Sequence, residues 1–445
     1  MPVKSLAHFS AGRTILLSIF LTIIIGTLLL ALPVARKTAI PLIDLFFMAT
    51  SATCVTGLFT VPLNQLTIFG QGIILALIQI GGLGIITMTL FIMSLFINLG
   101  LTTQLMAGKL LDIDVLPSLK KIIGLIIGFT LCAELIGAGV IYSVIHQDYT
   151  FWHAAFLALF HAVSSFCNAG ISLFPGDMAL YNHSLIMLGI TMLLIFCGGL
   201  GFITWRDLFQ NLFAWFHNRR LIFSLQTKLV LFGTAISIFF LTALFWILEH
   251  DNAFATMSPI TKFANALFQA ISMRSAGFIT VAIDQLHVAS LMIIMISSFI
   301  GSAPGSTGSG IKITTFIILL ATIKAGLTDR SSVNIKGRRI VRDQLNKAIT
   351  IIALSLFWIL LSIFLLLITE RNMNFLELSF EAVTAFTNLG LSTGITPHLS
   401  YAGKICMIAS MIIGRIGSLT LILALIKPRK EFTEFSYPEE RIMLS

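Results

Sequence analysis

Charge is scarce in this 445-residue chain: Asp, Glu, Lys and Arg together make up 11%, against 57% hydrophobic residues and a mean hydropathy of +0.98. That scarcity excludes an ordinary soluble domain and places the chain among polytopic membrane proteins. Acid is the rarer sign, leaving a net charge of +9. A nucleic-acid partner does not follow, because the basic residues collect in alternate loops and form no basic face interleaved with aromatics. The five cysteines (Cys54, Cys132, Cys167, Cys197, Cys406) contain no Cys-x-x-Cys pair, so neither a zinc site nor a disulfide framework is expected. The nine histidines form no His-x-x-x-His or His-Glu-x-x-His pattern. Glu134 stands as a single span carboxylate. Nothing clusters as a membrane enzyme would require, so no catalytic residues are assigned.

What the chain does have is one short stretch four times over. Ala52-Thr-Cys-Val-Thr-Gly-Leu58 returns as Ser165-Phe-Cys-Asn-Ala-Gly-Ile171, Ser272-Met-Arg-Ser-Ala-Gly-Phe278 and Ala385-Phe-Thr-Asn-Leu-Gly-Leu391. Gly57, Gly170, Gly277 and Gly390 are spaced 113, 107 and 113 residues apart, which marks an internal fourfold repeat. Around each glycine the order is the same: a long apolar run, a short apolar segment, the glycine motif, a second apolar run. The long runs begin at about 14, 119, 226 and 346. The short segments are 41–52, 151–165, 259–272 and 375–386, each too short to cross about 30 Å of hydrocarbon. Pro41, Ser258-Pro259 and Asn374 read as their helix entries. The returning runs are 69–99, 184–213, 287–327 and 402–427.

The expected fold is therefore an all-α polytopic membrane protein of four consecutive helix, re-entrant half-helix, helix repeats around a central pore, with eight transmembrane helices and four half-helices. The repeats divide the chain at 1–99, 100–223, 224–330 and 331–427, with a tail over 428–445. Placing both termini in the cytoplasm puts 20 of the 28 basic residues inside, including Lys4, Arg13, Lys109, Arg219, Arg220 and the linker at about 324–347. The linker is expected to be partly helical, with anionic lipid contact or a cytosolic partner as its roles.

A cation crossing lipid must have its hydration shell replaced, and a ring of backbone carbonyls on extended, glycine-containing chain does this. A half-helix entering from outside also points a partial negative charge of about half an electron at the midplane. The expected ion-binding residues are Thr53, Cys54, Val55, Thr56 and Gly57; Asn168, Ala169 and Gly170; Ser275, Ala276 and Gly277; and Asn388, Leu389 and Gly390. The preceding side chains differ between copies, so the ring is not chemically fourfold. Gly81, Gly301 and Gly414 each follow their motif glycine by 24 residues, and Gly198 follows by 28, sharing a small-residue packing position.

The third returning run has 41 residues, about 60 Å if helical, and is interrupted by Gly301-Ser-Ala-Pro-Gly-Ser-Thr-Gly-Ser-Gly-Ile-Lys312. Residues 301–311 are expected to form an intramembrane gate built on Gly305, Ser306, Thr307, Gly308, Ser309 and Gly310, with Lys312 beside it. Arg415, central in the fourth returning run, is expected to face the pore or hydrogen-bond gate carbonyls. Arg274 and Glu381 are candidates for an ion pair buttressing the glycine loops.

With these motifs, together with Ile413-Gly-Arg-Ile-Gly417, residues 14–427 resemble the Trk/Ktr/HKT superfamily of potassium transporters, in its Ktr-type membrane subunit. The resemblance implies potassium uptake across the plasma membrane, with potassium coordinated at Gly57, Gly170, Gly277 and Gly390, gating by residues 301–311, and Arg415 as the pore arginine of the fourth repeat. It further implies a homodimer over a cytosolic nucleotide-binding regulatory ring. The acidic tail (Glu431, Glu434, Glu439, Glu440) would contribute to the subunit contact. No cofactor on the chain itself is implied; potassium is the transported ion, and sodium stimulates many of the group. Sodium-selective relatives carry serine at the position of Gly57, which favours potassium here. The alternative is an alternating-access sodium- or proton-coupled cation symporter, a fold usually built from two inverted halves.

Overall fold

The computed structural model describes residues 11–84, 119–218, 221, 223–330 and 332–417. The expected continuation of the first returning helix to Leu99, that of the fourth to residue 427 and the tail 428–445 lie outside them, as do Lys4, Lys109, Arg219 and Arg220.

Fourteen helices carry the described chain. Four long ones open the units: α1 (Ala11–Leu30), α4 (Leu119–Ile145), α8 (Leu225–Glu249) and α12 (Arg342–Thr369). Four short ones follow: α2 (Leu42–Cys54), α5 (Phe151–Phe166), α9 (Pro259–Ser272) and α13 (Phe375–Thr387). At 13 to 16 residues these span only about 20–24 Å. Ser258 caps α9 as expected, its Oγ accepting from the Thr261 N–H at 3.4 Å. Pro41 sits one place before the first helical residue, and Asn374 spends its amide on Glu377 at 3.5 Å without capping the backbone.

The returning helices are α3 (Ile68–Gly82), α6 (Leu185–Gly199), α10 (Val288–Phe299) and α14 (Tyr401–Ile416), each N-capped by Thr67, Ser184, His287 or Ser400. With 12 to 16 residues each, they stop well short of a full span. Among the described residues three helices are long and apolar enough to cross a membrane: Gly124–Ile145, Leu225–Glu249 and Arg342–Thr369. The expected single helix over 184–213 is in fact α6 followed by α7 (Phe202–Phe216), bent by 100°. The break is Gly198-Gly-Leu-Gly201, where Gly201 has φ +84°. The same Gly-x-x-Gly ends α3 at Gly81–Gly84 (φ +82° at Gly84) and α14 at Gly414–Gly417 (φ +86° at Gly417). Apolar composition carries on through all three, but a positive φ takes the chain out of the helix.

After α10 the third unit breaks over residues 300–312 before α11 (Ile313–Leu327). The linker expected to be partly helical contains a β-hairpin, β1 (Asn334–Ile335) and β2 (Arg338–Arg339), the exception to an otherwise helical fold. Its two central residues, Lys336 (φ +47°) and Gly337 (φ +77°), form the two-residue turn that suits antiparallel strands.

The units pack by one cyclic rule. Each returning helix lies on the half-helix of the next unit: α3 on α5, α6 on α9, α10 on α13, and α14 on α2. The cores follow it too: Ala169 is buried with side chains of the first unit, Ala276 with the second and Leu389 with the third, while Met407 and Met411 join Phe47 and Met48 to close the circuit.

Candidate functional site

The four glycine loops meet at the centre of this circuit. A Cβ added to Gly57 would lie 2.6 Å from the Ala169 carbonyl oxygen. One on Gly170 would strike the Ala276 carbonyl, one on Gly277 the Leu389 carbonyl, and one on Gly390 the Thr56 carbonyl. Each carbonyl belongs to the residue just before the motif glycine of the neighbouring unit. The four glycines thus form a closed ring in which every member leans on its neighbour's backbone. All four have positive φ, between +63° and +101°. A side chain here would collide with backbone, which cannot give way as a flexible side chain can.

Local hydrogen bonds hold each loop in register. Half-helices α2 and α13 end on Val55 and Asn388 in the left-handed conformation (φ +58° and +52°), and Asn168 after α5 shares it (φ +57°). Ser275, the matching residue of the third unit, does not have a positive φ. Ser51 Oγ accepts from the Gly57 N–H at 3.1 Å and Ser164 Oγ from the Ile171 N–H at 2.9 Å. Thr53 and Cys54 lie in the last turn of α2, so the chain leaves the helix only at Val55.

The two asparagines work between units. Asn388 Nδ2 donates to the Cys54 carbonyl and to Thr56 Oγ1, both at 3.0 Å, tying the fourth loop to the first. Asn168 Nδ2 donates to Thr307 Oγ1 at 2.6 Å, tying the second loop to the break, and its Oδ1 accepts from Ser275 Oγ at 3.3 Å. These amide roles are invisible in the sequence, where Asn preceding glycine reads only as a turn.

The break over 300–312 is a closely bonded and largely buried loop. Thr307 Oγ1 donates to the Phe166 carbonyl (2.9 Å) and its N–H to the Gly198 carbonyl (3.2 Å). Ala303 N–H donates to Gly199, and Phe202 N–H donates to the Gly305 carbonyl at 2.9 Å, which places the loop on the α6–α7 bend. Gly308 packs against Ser275, so close that a Cβ would sit 2.8 Å from the Ser275 side chain. Ser302 and Ser306 share a 2.7 Å hydrogen bond, and Lys312 Nζ donates to the Gly308 carbonyl at 2.8 Å.

Arg415 bridges this loop to the first unit. Its Nη1 donates to the Thr307 carbonyl (2.7 Å) and Ser309 Oγ (2.9 Å), and its Nη2 to the Gly81 carbonyl. Arg415 occupies the second place of its Gly-x-x-Gly, where the first and second units have Gly82 and Gly199. A cavity of about 350 Å³ adjoins, lined by Gly84, Ser306, Lys312, Thr315, Arg415 and Gly417 among others.

Two expectations are corrected. Arg274 and Glu381 do not pair: Arg274 Nη2 donates to Thr234 at 3.5 Å, whereas Glu381 accepts from Ser392, from Thr393 N–H (3.2 Å) and from Thr396 (2.9 Å). Each is turned to partners in its own unit. Glu134 is not isolated, since Gln79 Nε2 donates to it at 3.2 Å across α3 and α4. Lys404 pairs with Asp44 at 2.7 Å, an ion pair for which no local sequence signal exists.

Comparison with known proteins agrees with this architecture. The family model described as TrkH, cation transport protein, matches residues 5–434. Ktr system potassium uptake protein B of Bacillus subtilis is 36% identical over 98% of this chain and 97% of its own length. That of Vibrio alginolyticus is 35% identical over 97% and 94%, and the potassium/sodium uptake protein NtpJ of Enterococcus hirae is 31% identical over 98% of each. The crystal structure of the potassium transporter TrkH from Vibrio parahaemolyticus superposes with a TM-score of 0.72 at 20% identity, covering 95% of this chain and 86% of that one, a likeness of fold. A multi-pass membrane protein, the chain belongs to the TrkH cation transport protein family.

Proposed function

We propose that this chain takes up potassium across the plasma membrane through the axis of the glycine ring. The observation that carries the reading is the closed circuit in which each motif glycine abuts the carbonyl before its neighbour's glycine. Carbonyls so placed would replace the hydration shell of a cation. The C-terminal ends of α2, α5, α9 and α13 would add partial negative charge, about half an electron each. On this reading Val55 to Gly57, Asn168 to Gly170, Ser275 to Gly277 and Asn388 to Gly390 form the selectivity filter, with Thr53 and Cys54 supporting its first strand. Residues 301–311 form the gate, and Arg415 with Lys312 keeps it shut.

Relatives named as Ktr system potassium uptake proteins support the choice of ion and of a multi-component system. We therefore also propose a homodimer, both termini cytoplasmic, controlled by a cytosolic ring of nucleotide-binding regulatory subunits. Sodium, which appears in the name of the Enterococcus hirae relative, is proposed as a modulating ion. Alternating access is not adopted, since four units joined by one cyclic rule do not make two inverted halves.

Rubidium and sodium uptake into proteoliposomes, wild type against Gly57→Ser, tests the reading. The wild type should take up rubidium in preference to sodium, and the variant should lose that preference, because the added atoms force the first loop off the Ala169 carbonyl. Wild-type protein that moves neither ion, even with the 305–310 segment deleted, would overturn it.

A further inference from the structure

Hairpin 334–339 carries a concentration of charge that the ring does not use. Lys336, Arg338 and Arg339 are all exposed, and Arg330 and Arg342 flank them. Of the nearby acids, Asp343 is already held by Lys347 at 2.7 Å, leaving Asp329 against five cations. The hairpin is no loose tether. Val333 and Ile340 are buried with Ala325 against Leu225, Ala321 and Leu345, which fixes it to α11, α12 and the start of α8.

Its tip reaches an exposed apolar face of the bundle. Lys336 Nζ lies 5.0 Å from the centre of the Phe232 ring. Phe232 is 56% exposed and stands at helical spacing with Ile236, Phe239 and Phe240, all exposed on the same stripe of α8. In a membrane protein such a stripe is covered by acyl chains. The amine at its N-terminal edge therefore sits where headgroups begin, the position at which long basic side chains come to rest.

We propose that the 334–339 hairpin binds the anionic headgroups of phospholipids in the leaflet it faces. Arg338 and Arg339 present forked donors suited to a phosphodiester, and Lys336 supplies a point charge beside the acyl boundary. Each cation near an anionic surface contributes about fivefold to partitioning. Since α11 follows directly from the 300–312 break, a lipid held here bears on the element that carries the loop. The inference does not depend on the ion or on conduction.

The test is thermal unfolding of the full chain in dodecyl maltoside with phosphatidylglycerol, phosphatidylcholine or inorganic phosphate added. Phosphatidylglycerol should raise the wild-type midpoint by roughly 3 °C over phosphatidylcholine, and inorganic phosphate should not. The triple variant Lys336→Gln, Arg338→Gln, Arg339→Gln should lose most of that rise, while Lys336→Arg, Arg338→Lys, Arg339→Lys should keep it. An undiminished rise in the neutral triple variant, or an equal rise with inorganic phosphate, overturns the proposal. A neutral variant that keeps the lipid response but loses a cytosolic protein partner marks a protein-docking surface and overturns it as well. Should the triple variant not fold, native mass spectrometry of Lys336→Gln, which leaves both strands intact, is expected to retain fewer phosphatidylglycerol molecules; unchanged retention counts against the site.

Discussion

Lys404 donates to Asp44 across 2.7 Å although 360 positions separate the two residues. The pair joins the first turn of α14 to the first turn of α2, and both side chains are largely withdrawn from solvent (14% and 8% exposed). Asp44 also lies in the first turn of its own helix, where a negative charge complements the positive end of the helix dipole, so a single carboxylate serves the helix end and the closure of the ring.

Breaking this pair from either side should cost about 3 kcal/mol, because the surviving charge stays buried without its counterpart. Thermal unfolding in detergent of Asp44→Asn, Lys404→Met and the double variant checks it. The double variant should lose clearly less than the two single losses together; strict additivity would show that the two charges are not coupled.

Asn388→Ala removes donors to the Cys54 carbonyl and Thr56 Oγ1, leaving buried acceptors unmet. A loss of about 2 kcal/mol is expected, with weakened discrimination between rubidium and sodium. Asn168→Ala acts on the break as well as on the ring, since Asn168 donates to Thr307 and accepts from Ser275. Basal flux should rise in that variant in addition to any loss of discrimination, and the two uptake profiles should not be interchangeable.

Arg415→Lys keeps the charge but cannot reach the Thr307 carbonyl, Ser309 and the Gly81 carbonyl together. If this bridge holds the break closed, basal rubidium uptake without any regulatory subunit should increase roughly tenfold, the size of an ordinary coupling energy. Unchanged or reduced uptake in both Arg415→Lys and Arg415→Ala would remove the arginine from the gate.

Asp177 lies in the connection between α5 and α6, where burial pushes its carboxyl up to about 7 against the opposing hydrogen bond from the Ile279 N–H at 2.7 Å. A raised folded value means that the folded protein holds this proton more tightly than the unfolded chain does. Its contribution to stability is complete below about pH 4 and is lost as pH rises through about 7. Melting curves between pH 5 and 8 should therefore slope downward in the wild type and flatten in Asp177→Asn.

Much of the fold could be read from residue order. The half-helix expected over 259–272 is Pro259–Ser272, and the other three agree to within two residues, since short apolar segments ended by a glycine motif have few alternative structures. The ends of α3, α6 and α14 escaped because Leu83, Leu200 and Ile416 keep the hydropathy high across the turn; the sign was the second glycine of Gly-x-x-Gly, which recurs in three units. The hairpin at Lys336-Gly337 was missed because lysine is not among the residues that ordinarily mark such a turn. The proposed pairing of Arg274 with Glu381 failed for a different reason. Nearness to a motif glycine does not say which way a side chain turns, and ample hydroxyl and amide partners lay within each unit.

The packing of α14 on α2 has a consequence for biosynthesis. Helices emerge from the ribosome in order, so α2 waits with its Asp44 face open until almost the whole chain has been made. Until then the membrane holds an arc of three units whose glycine loops have no complete circuit, and the last helix to arrive acts as the clasp. A nascent or truncated chain therefore cannot assemble the full ring, and residues 300–312 are made ahead of the element that closes it, so that on the proposed function the gate would precede the finished pore.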